Sequence, residues 1–332
     1  MNMVTKVTKN YLLTGGGAMT TDTTAIVTAA AKEDTGTLIK AVELPVFPIQ
    51  SLKEDTSIII ISCLTPSAPD IVMIDMLYDS LVMLEGLSQT APIIIAIDNL
   101  VEEGSFYAVK HNYPSSTVEN KERLEAYAQN LRLRFKDDKR VSVLPYVAWQ
   151  MHNHVINKAL QLVDTKFVYI LQHDEIFKKS VNHTAMVKTM EEHPDVLRKV
   201  EFNRGNNIDC NASWYFRGEL ACKEDEVSYV NKASFTKTCG WSDQCHFTTK
   251  EYYGEVLAIL GDRKIHPEFV MNRNKFKKNC KYWGAHFYGN VTEGPFIQHV
   301  NGRFIKNDAL GKIKDENGKL PVIKAALSNS TR

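Results

Sequence analysis

The chain has 332 residues, 44% hydrophobic and 24% charged, the composition of a soluble globular protein with room for one large domain or two modest ones. With 40 Lys plus Arg against 39 acids the net charge is +1, so there is no polyelectrolyte footprint for a nucleic-acid partner. Six cysteines without a CxxC pair exclude a disulfide-built scaffold and a cysteine zinc site, and no apolar run reaches the ~18 residues of a membrane span.

Residues 1–53 are rich in Thr, Ala and Gly with weak periodicity and read as a flexible leader. They show no clear signal-peptide cleavage site, which leads to the expectation of a cytoplasmic protein with reduced thiols; the alternative is a secretory lumen, where one or two bridges could form among the four cysteines between 210 and 245. The packed part begins near Ser57. "SIIIISCL" (57–64) is a β-branched run expected to be a buried strand, with Thr65, Pro66 and Pro69 as turn residues after it. "DIVMIDMLYDSLVMLEGL" has helical spacing of Ile71, Ile74, Leu77, Tyr78, Leu81 and Leu84, with Gly86 near its end. "APIIIAIDNL" (91–100) is a second buried strand that ends in Asp98. A charged, partly helical stretch follows to 140, and "RVSVLPYV" (140–147) reads as a third strand. "WQMHNHVINKALQLVD" (149–164) is an amphipathic helix with Met151, Val155, Ala159, Leu162 and Val163 on its apolar stripe.

The helix feeds "KFVYILQHDEIFKK" (166–179), in which five apolar, β-favouring residues lead directly into His173, Asp174 and Glu175. A continuous apolar run is the signature of a strand covered on both faces, and ligands of parallel sheets bind beyond the carboxyl ends of such strands. Acids there suit a hard divalent cation, which takes one or two carboxylates from a protein when it also holds a diphosphate; a solvated strand exit accounts for them equally well. Further on come a helix near 184–193, a strand at 196–203 and a Gly, Trp and Tyr-rich half. In that half, "GPFIQHVNGR" (294–303) ends a short strand-like piece at His299, and imidazole suits manganese-like metals. The alternation of strands and helices is that of an α/β open, mostly parallel sheet flanked by helices. Its donor half spans about 54–180, its irregular acceptor half about 181–303, and a tail runs over 304–332.

An N-terminal α/β sheet, "HNHVINKAL" leading into "FVYILQHDE", a later Trp-x-Asp segment and a late histidine together resemble the GT-A fold glycosyltransferases, closest to the family-two-like nucleotide-diphospho-sugar transferases. The resemblance covers about residues 57–303. The usual Asp-x-Asp at the strand end is here Gln172-His173-Asp174-Glu175. The resemblance implies a twisted GT-A-like sheet, a nucleotide-diphosphate sugar donor, a carbohydrate or glycoconjugate acceptor, and Mn or Mg held by Asp174 with Glu175 or His173 assisting and His299 completing the site. It places Thr65, Pro66, Asp98, Asn157 and His173 along the donor, with Asp98 open to an alternative as a helix N-cap, Asn157 as a solvated helix residue and His299 as a loop histidine.

In "KTCGWSDQCHFTTKEYY" (237–253), Trp241 offers a flat face for a sugar ring, Ser242 lies beside it, and Asp243 is the candidate base in an inverting transfer. Equally, Ser242-Asp243 could cap a helix running to Leu260 with Trp241 as a staple. Two other functions fit the same residues. A sugar-phosphate nucleotidyltransferase would use "LLTGGGAMT" (12–20) as its phosphate loop, and a non-catalytic carbohydrate-binding relative would use the many aromatic residues.

Overall fold

The computed structural model describes residues 55–300, apart from 66, 112, 147–148, 205–226, 231–232, 239–240, 264–266, 273–279 and 291. The expected leader at 1–53, with its Gly run, and the tail at 304–332 lie outside the described residues.

In chain order the donor half contains β1 (Thr56–Ser62), α1 (Val72–Ser80), β2 (Leu84–Glu85), β3 (Ile93–Ile97), α2 (Phe106–His111), α3 (Val118–Arg134), β4 (Val141–Pro145), α4 (His152–Leu160), β5 (Phe167–Gln172) and β6 (Glu175–Phe177). There follow β7 (Val181–Asn182), α5 (His183–Glu192), β8 (Lys199–Phe202), β9 (Val227–Val230), β10 (Ala233–Lys237), β11 (His246–Thr249), α6 (Lys250–Leu260), α7 (Pro267–Val270), α8 (Cys280–Trp283), β12 (Ala285–Tyr288) and β13 (Ile297–His299).

Nine of these strands form one sheet in the order β4-β3-β1-β5-β11-β8-β12-β10-β9. The first four are parallel, so the open α/β sheet expected from the apolar runs is what the chain forms. The side-chain alternation of a strand explains why the runs are continuous. Ile58, Ile60, Ile95, Tyr169 and Leu171 point to one face, against Ile74 and Leu77 of α1, Tyr127 and Leu131 of α3 and Met186 of α5. Ile59, Ile61, Ile94, Val168 and Ile170 point to the other, against Val155 and Ile156 of α4 and Tyr252, Tyr253 and Val256 of α6.

The second half is not a separate layer. β11 enters the sheet antiparallel between β5 and β8, and Phe247 stacks on Phe167 at 5.5 Å. This corrects one sequence alternative: residues 246–249 are strand, and the helix begins only at Lys250, capped by Thr249 Oγ1 accepting from the Tyr252 amide. Phe247 and Thr248 are β-favouring residues with a ladder waiting on both sides, so pairing overrides the helical pattern there. The helix expected over 149–164 is also shorter, because Met151 at φ 68° breaks it before His152, and Leu162 lies beyond its end, 38% exposed, outside the apolar stripe.

Candidate functional site

The strand ends that matter are those of β1, β3 and β5, adjacent in the sheet and pointing the same way. Chain order reverses between them: β3 and β4 lie on one side of β1 and β5 on the other, which makes this edge the topological switch point.

Asp174 stands immediately past β5. Its Oδ2 accepts from His299 Nε2 at 3.0 Å, while Oδ1 is buried with no partner among the described residues. A small antiparallel ladder brings the pair together: β13 lies on β6 with His299 opposite Glu175, and the Val300 amide donates to the Asp174 carbonyl. Burial pushes the Asp174 carboxyl up, but the His299 hydrogen bond and the His173 and His299 charges outweigh it and hold it below the usual carboxylate range. The hydrogen bond to Asp174 raises the His299 imidazole. Asp174 Oδ1 offers a carboxylate oxygen to a manganese-like cation that draws its remaining ligands from a diphosphate, and the His299 imidazole can join it once it releases the Nε2 proton now shared with Asp174. Among the described residues no three His, Cys, Asp or Glu side chains gather to hold a metal unaided.

Glu175 does not join them. Its carboxylate is fully buried, with Oε1 paired to Arg204 Nη1 at 2.8 Å and Oε2 accepting from the Cys245 amide at 2.7 Å. Next to Asp174 in sequence, it faces the protein and fastens the β11 approach to β5, so its expected place among the metal ligands is not where the structure puts it. His173 turns back onto its own sheet, with Nδ1 3.2 Å from the Ile61 carbonyl.

Asp98 ends β3 as expected, but backbone amides occupy it. Oδ1 accepts from Asn99 and Gln150 at 2.8 Å each, and Oδ2 from Met151 at 3.0 Å. It therefore holds the loop amides that lead into α4 and Met151 at its positive φ; Met151 is the N-cap residue and α4 has no side-chain cap bond, so Asp98 does not cap it in the usual sense. Thr65 bonds Ser67 through its hydroxyl and receives Arg123 on its carbonyl; Pro66 lies outside the described residues. Asn157 sits half-buried in the middle of α4. One turn closer to the strand ends is Asn153, which sequence reasoning passed over: it is 1% exposed, donates to the Arg263 carbonyl and has its Oδ1 buried without a partner among the described residues.

Gln172 Nε2 donates to the Asp243 carbonyl, which places the candidate base alongside the end of β5. Glu268, from α7, lies within side-chain hydrogen-bonding reach of Asp243. Its Oε1 accepts from Ser242 Oγ at 2.7 Å and from the Asp243 amide at 3.2 Å. Burial, with the Asp243 charge adding to it, pushes the Glu268 carboxyl up to about 7. No sequence signal marks this partner, since it arrives from 25 residues downstream.

Trp241 is fully buried and offers no face to a sugar ring. Lys199 Nζ sits 4.0 Å from its ring centroid, pairs with Glu201 at 2.7 Å and donates to the Ser242 carbonyl. Ser242 is likewise buried, its amide on Glu201 and its hydroxyl on Glu268. Trp241 and Ser242 thus form the packed floor beneath Asp243, where the bonds to Glu201 and to the Ser242 carbonyl offset the cost of burying Lys199.

No family model and no curated protein matches the chain. Among solved structures, S. aureus TarS is 11% identical, with a TM-score of 0.42, and the match covers 74% of this chain and 36% of that one. A mannosyltransferase, PcManGT from Pyrobaculum calidifontis in complex with GDP-Man and Mn2+, is 10% identical with a TM-score of 0.41, covering 76% and 59%. A putative glucose-1-phosphate thymidylyltransferase from Bacillus anthracis is 7% identical with a TM-score of 0.44, covering 76% and 93%. The chain therefore spans between 36% and 60% of the length of the TarS structures it matches. No helix among the described residues is long and apolar enough to cross a membrane.

Proposed function

We propose that the chain is a glycosyltransferase that moves a sugar from a nucleotide-diphosphate donor to the hydroxyl of a carbohydrate or glycoconjugate acceptor. The observation that carries the reading is the Asp174–His299 pair at the switch point, with one buried carboxylate oxygen left without a partner among the described residues. Asp174 and His299 would hold Mn or Mg, which when bound neutralises the charge that grows on the departing diphosphate.

The protein's own part is proton handling and exclusion of water. Asp243 takes the proton of the acceptor hydroxyl as that oxygen bonds the anomeric carbon, on the face opposite the breaking bond to the diphosphate, which inverts the configuration. Glu268, whose carboxyl burial and the Asp243 charge push up to about 7, stands within hydrogen-bonding reach of Asp243 and donates to that carboxylate while it carries its proton. Lys199, Glu201 and Trp241 hold the backbone at Ser242 and Asp243 from below.

The test is the melting temperature of the chain with uridine, guanosine, cytidine and adenosine diphosphates, each with and without manganese. Ligands of the folded state raise stability by about 2.7 kcal/mol at a hundredfold excess over Kd. We expect a manganese-dependent rise with at least one nucleotide, abolished by Asp174→Asn, whose ligand-free melt stays cooperative. A rise that survives in Asp174→Asn, or no rise with any nucleotide, defeats the proposal.

A further inference from the structure

After β3 the chain makes an excursion that closes on itself. Val101 bridges to Ser115, its amide donates to the Pro114 carbonyl, and the Ser116 amide returns to the Val101 carbonyl. Inside this closed loop α2 carries Tyr107, and Tyr113 follows it. Both rings meet Trp149 from the loop after β4: Tyr107 lies 4.8 Å from Trp149, Tyr113 lies 6.4 Å from it, and the two tyrosines are 6.0 Å apart. All three are half-buried, so each still shows ring surface.

The position of this cluster follows from Asp98. By accepting from the Gln150 and Met151 amides, Asp98 ties the loop after β4 to the end of β3 and so sets Trp149 beside the switch point. The Tyr113 phenol overlooks the same edge: burial raises it, and Cys63, Asp243 and Asp98 push it further. From β5 to β3, across β1, is two strand spacings, about 10 Å. A nucleoside joined to a diphosphate at Asp174 would span that distance, across the end of β1 and Cys63 to Asp98 and the three rings.

We infer that Tyr107, Tyr113 and Trp149 form the platform on which the heterocyclic base of the nucleotide stacks, an inference that rests on the donor reading above. Both Asp98 oxygens already accept backbone amides, and the ring faces beside them offer the base a surface. Stacking needs only a π surface, which every base has.

Isothermal titration of the full chain with the same four nucleoside diphosphates, manganese present, tests the platform. Ribose 5-phosphate serves as a base-free control and a methyl glycoside as an acceptor-like one. Trp149→Leu and Tyr107→Leu are expected to weaken the best-bound nucleotide roughly 10-fold. Trp149→Phe, which keeps a ring and endangers folding least, restores most of that affinity, and ribose 5-phosphate binding does not change in any variant. Nucleotide affinity unchanged in both Leu variants, while Asp174→Asn still abolishes it, overturns the platform and leaves the donor reading standing. Loss of the methyl glycoside alone assigns the rings to the acceptor and also overturns it. If the wild-type chain binds no nucleotide, both readings fall.

Discussion

Glu268 offers the sharpest physical test of the carboxyl pair, through stability as a function of pH. The folded chain holds its proton up to about pH 7, whereas an ordinary glutamate releases it at 4.5. Between those values the unfolded chain binds fewer protons than the folded one, so stability falls as pH rises and levels off above about 7. Each pH unit is worth about 1.4 kcal/mol, which over this interval comes to about 3 kcal/mol. Glu268→Gln removes the titration but keeps an oxygen to accept from Ser242 Oγ and the Asp243 amide. The variant should match the wild type to within about 1 kcal/mol at pH 5 and exceed it by about 3 kcal/mol at pH 8. For a domain of this size that is about 6–12 °C in Tm. Urea unfolding midpoints at pH 5, 6, 7 and 8 supply the measurement. A gap between the two proteins that is the same at pH 5 and pH 8 would refute both the raised carboxyl and the proton shared with Asp243.

Trp241→Leu should lower stability by about 3 kcal/mol, since a fully buried indole and its contact with Lys199 are lost; an unchanged urea midpoint would mean that the ring is not core. Asp98→Ala strips acceptors from the Asn99, Gln150 and Met151 amides and should cost about 2–3 kcal/mol. Unchanged stability with lost nucleotide binding would return Asp98 to direct ligand contact.

Much of the sheet was legible in the sequence because its strands are covered on both faces. Ile58–Ile61, Ile93–Ile97 and Phe167–Leu171 each read as a strand without any neighbour being known, and Asp174 could be singled out because an acid behind such a run lies at a carboxyl end. Lone side chains were less legible, because their chemistry depends on who stands opposite. Asp174 and Glu175 are adjacent in sequence, yet one bonds His299 through Oδ2 and keeps Oδ1 without a partner among the described residues, while the other is paired with Arg204.

The sequence by itself determined that this is an open α/β chain with acids at the end of a central buried strand, since both follow from local runs of side chains. Only the tertiary structure decided which groups surround those acids. The insertion of β11 beside β5, the ladder that delivers His299, the approach of Glu268 to Asp243 and the burial of Trp241 all join residues far apart in the chain. Such pairings are selected by cross-strand packing and by satisfaction of buried polar groups, and local spacing carries neither.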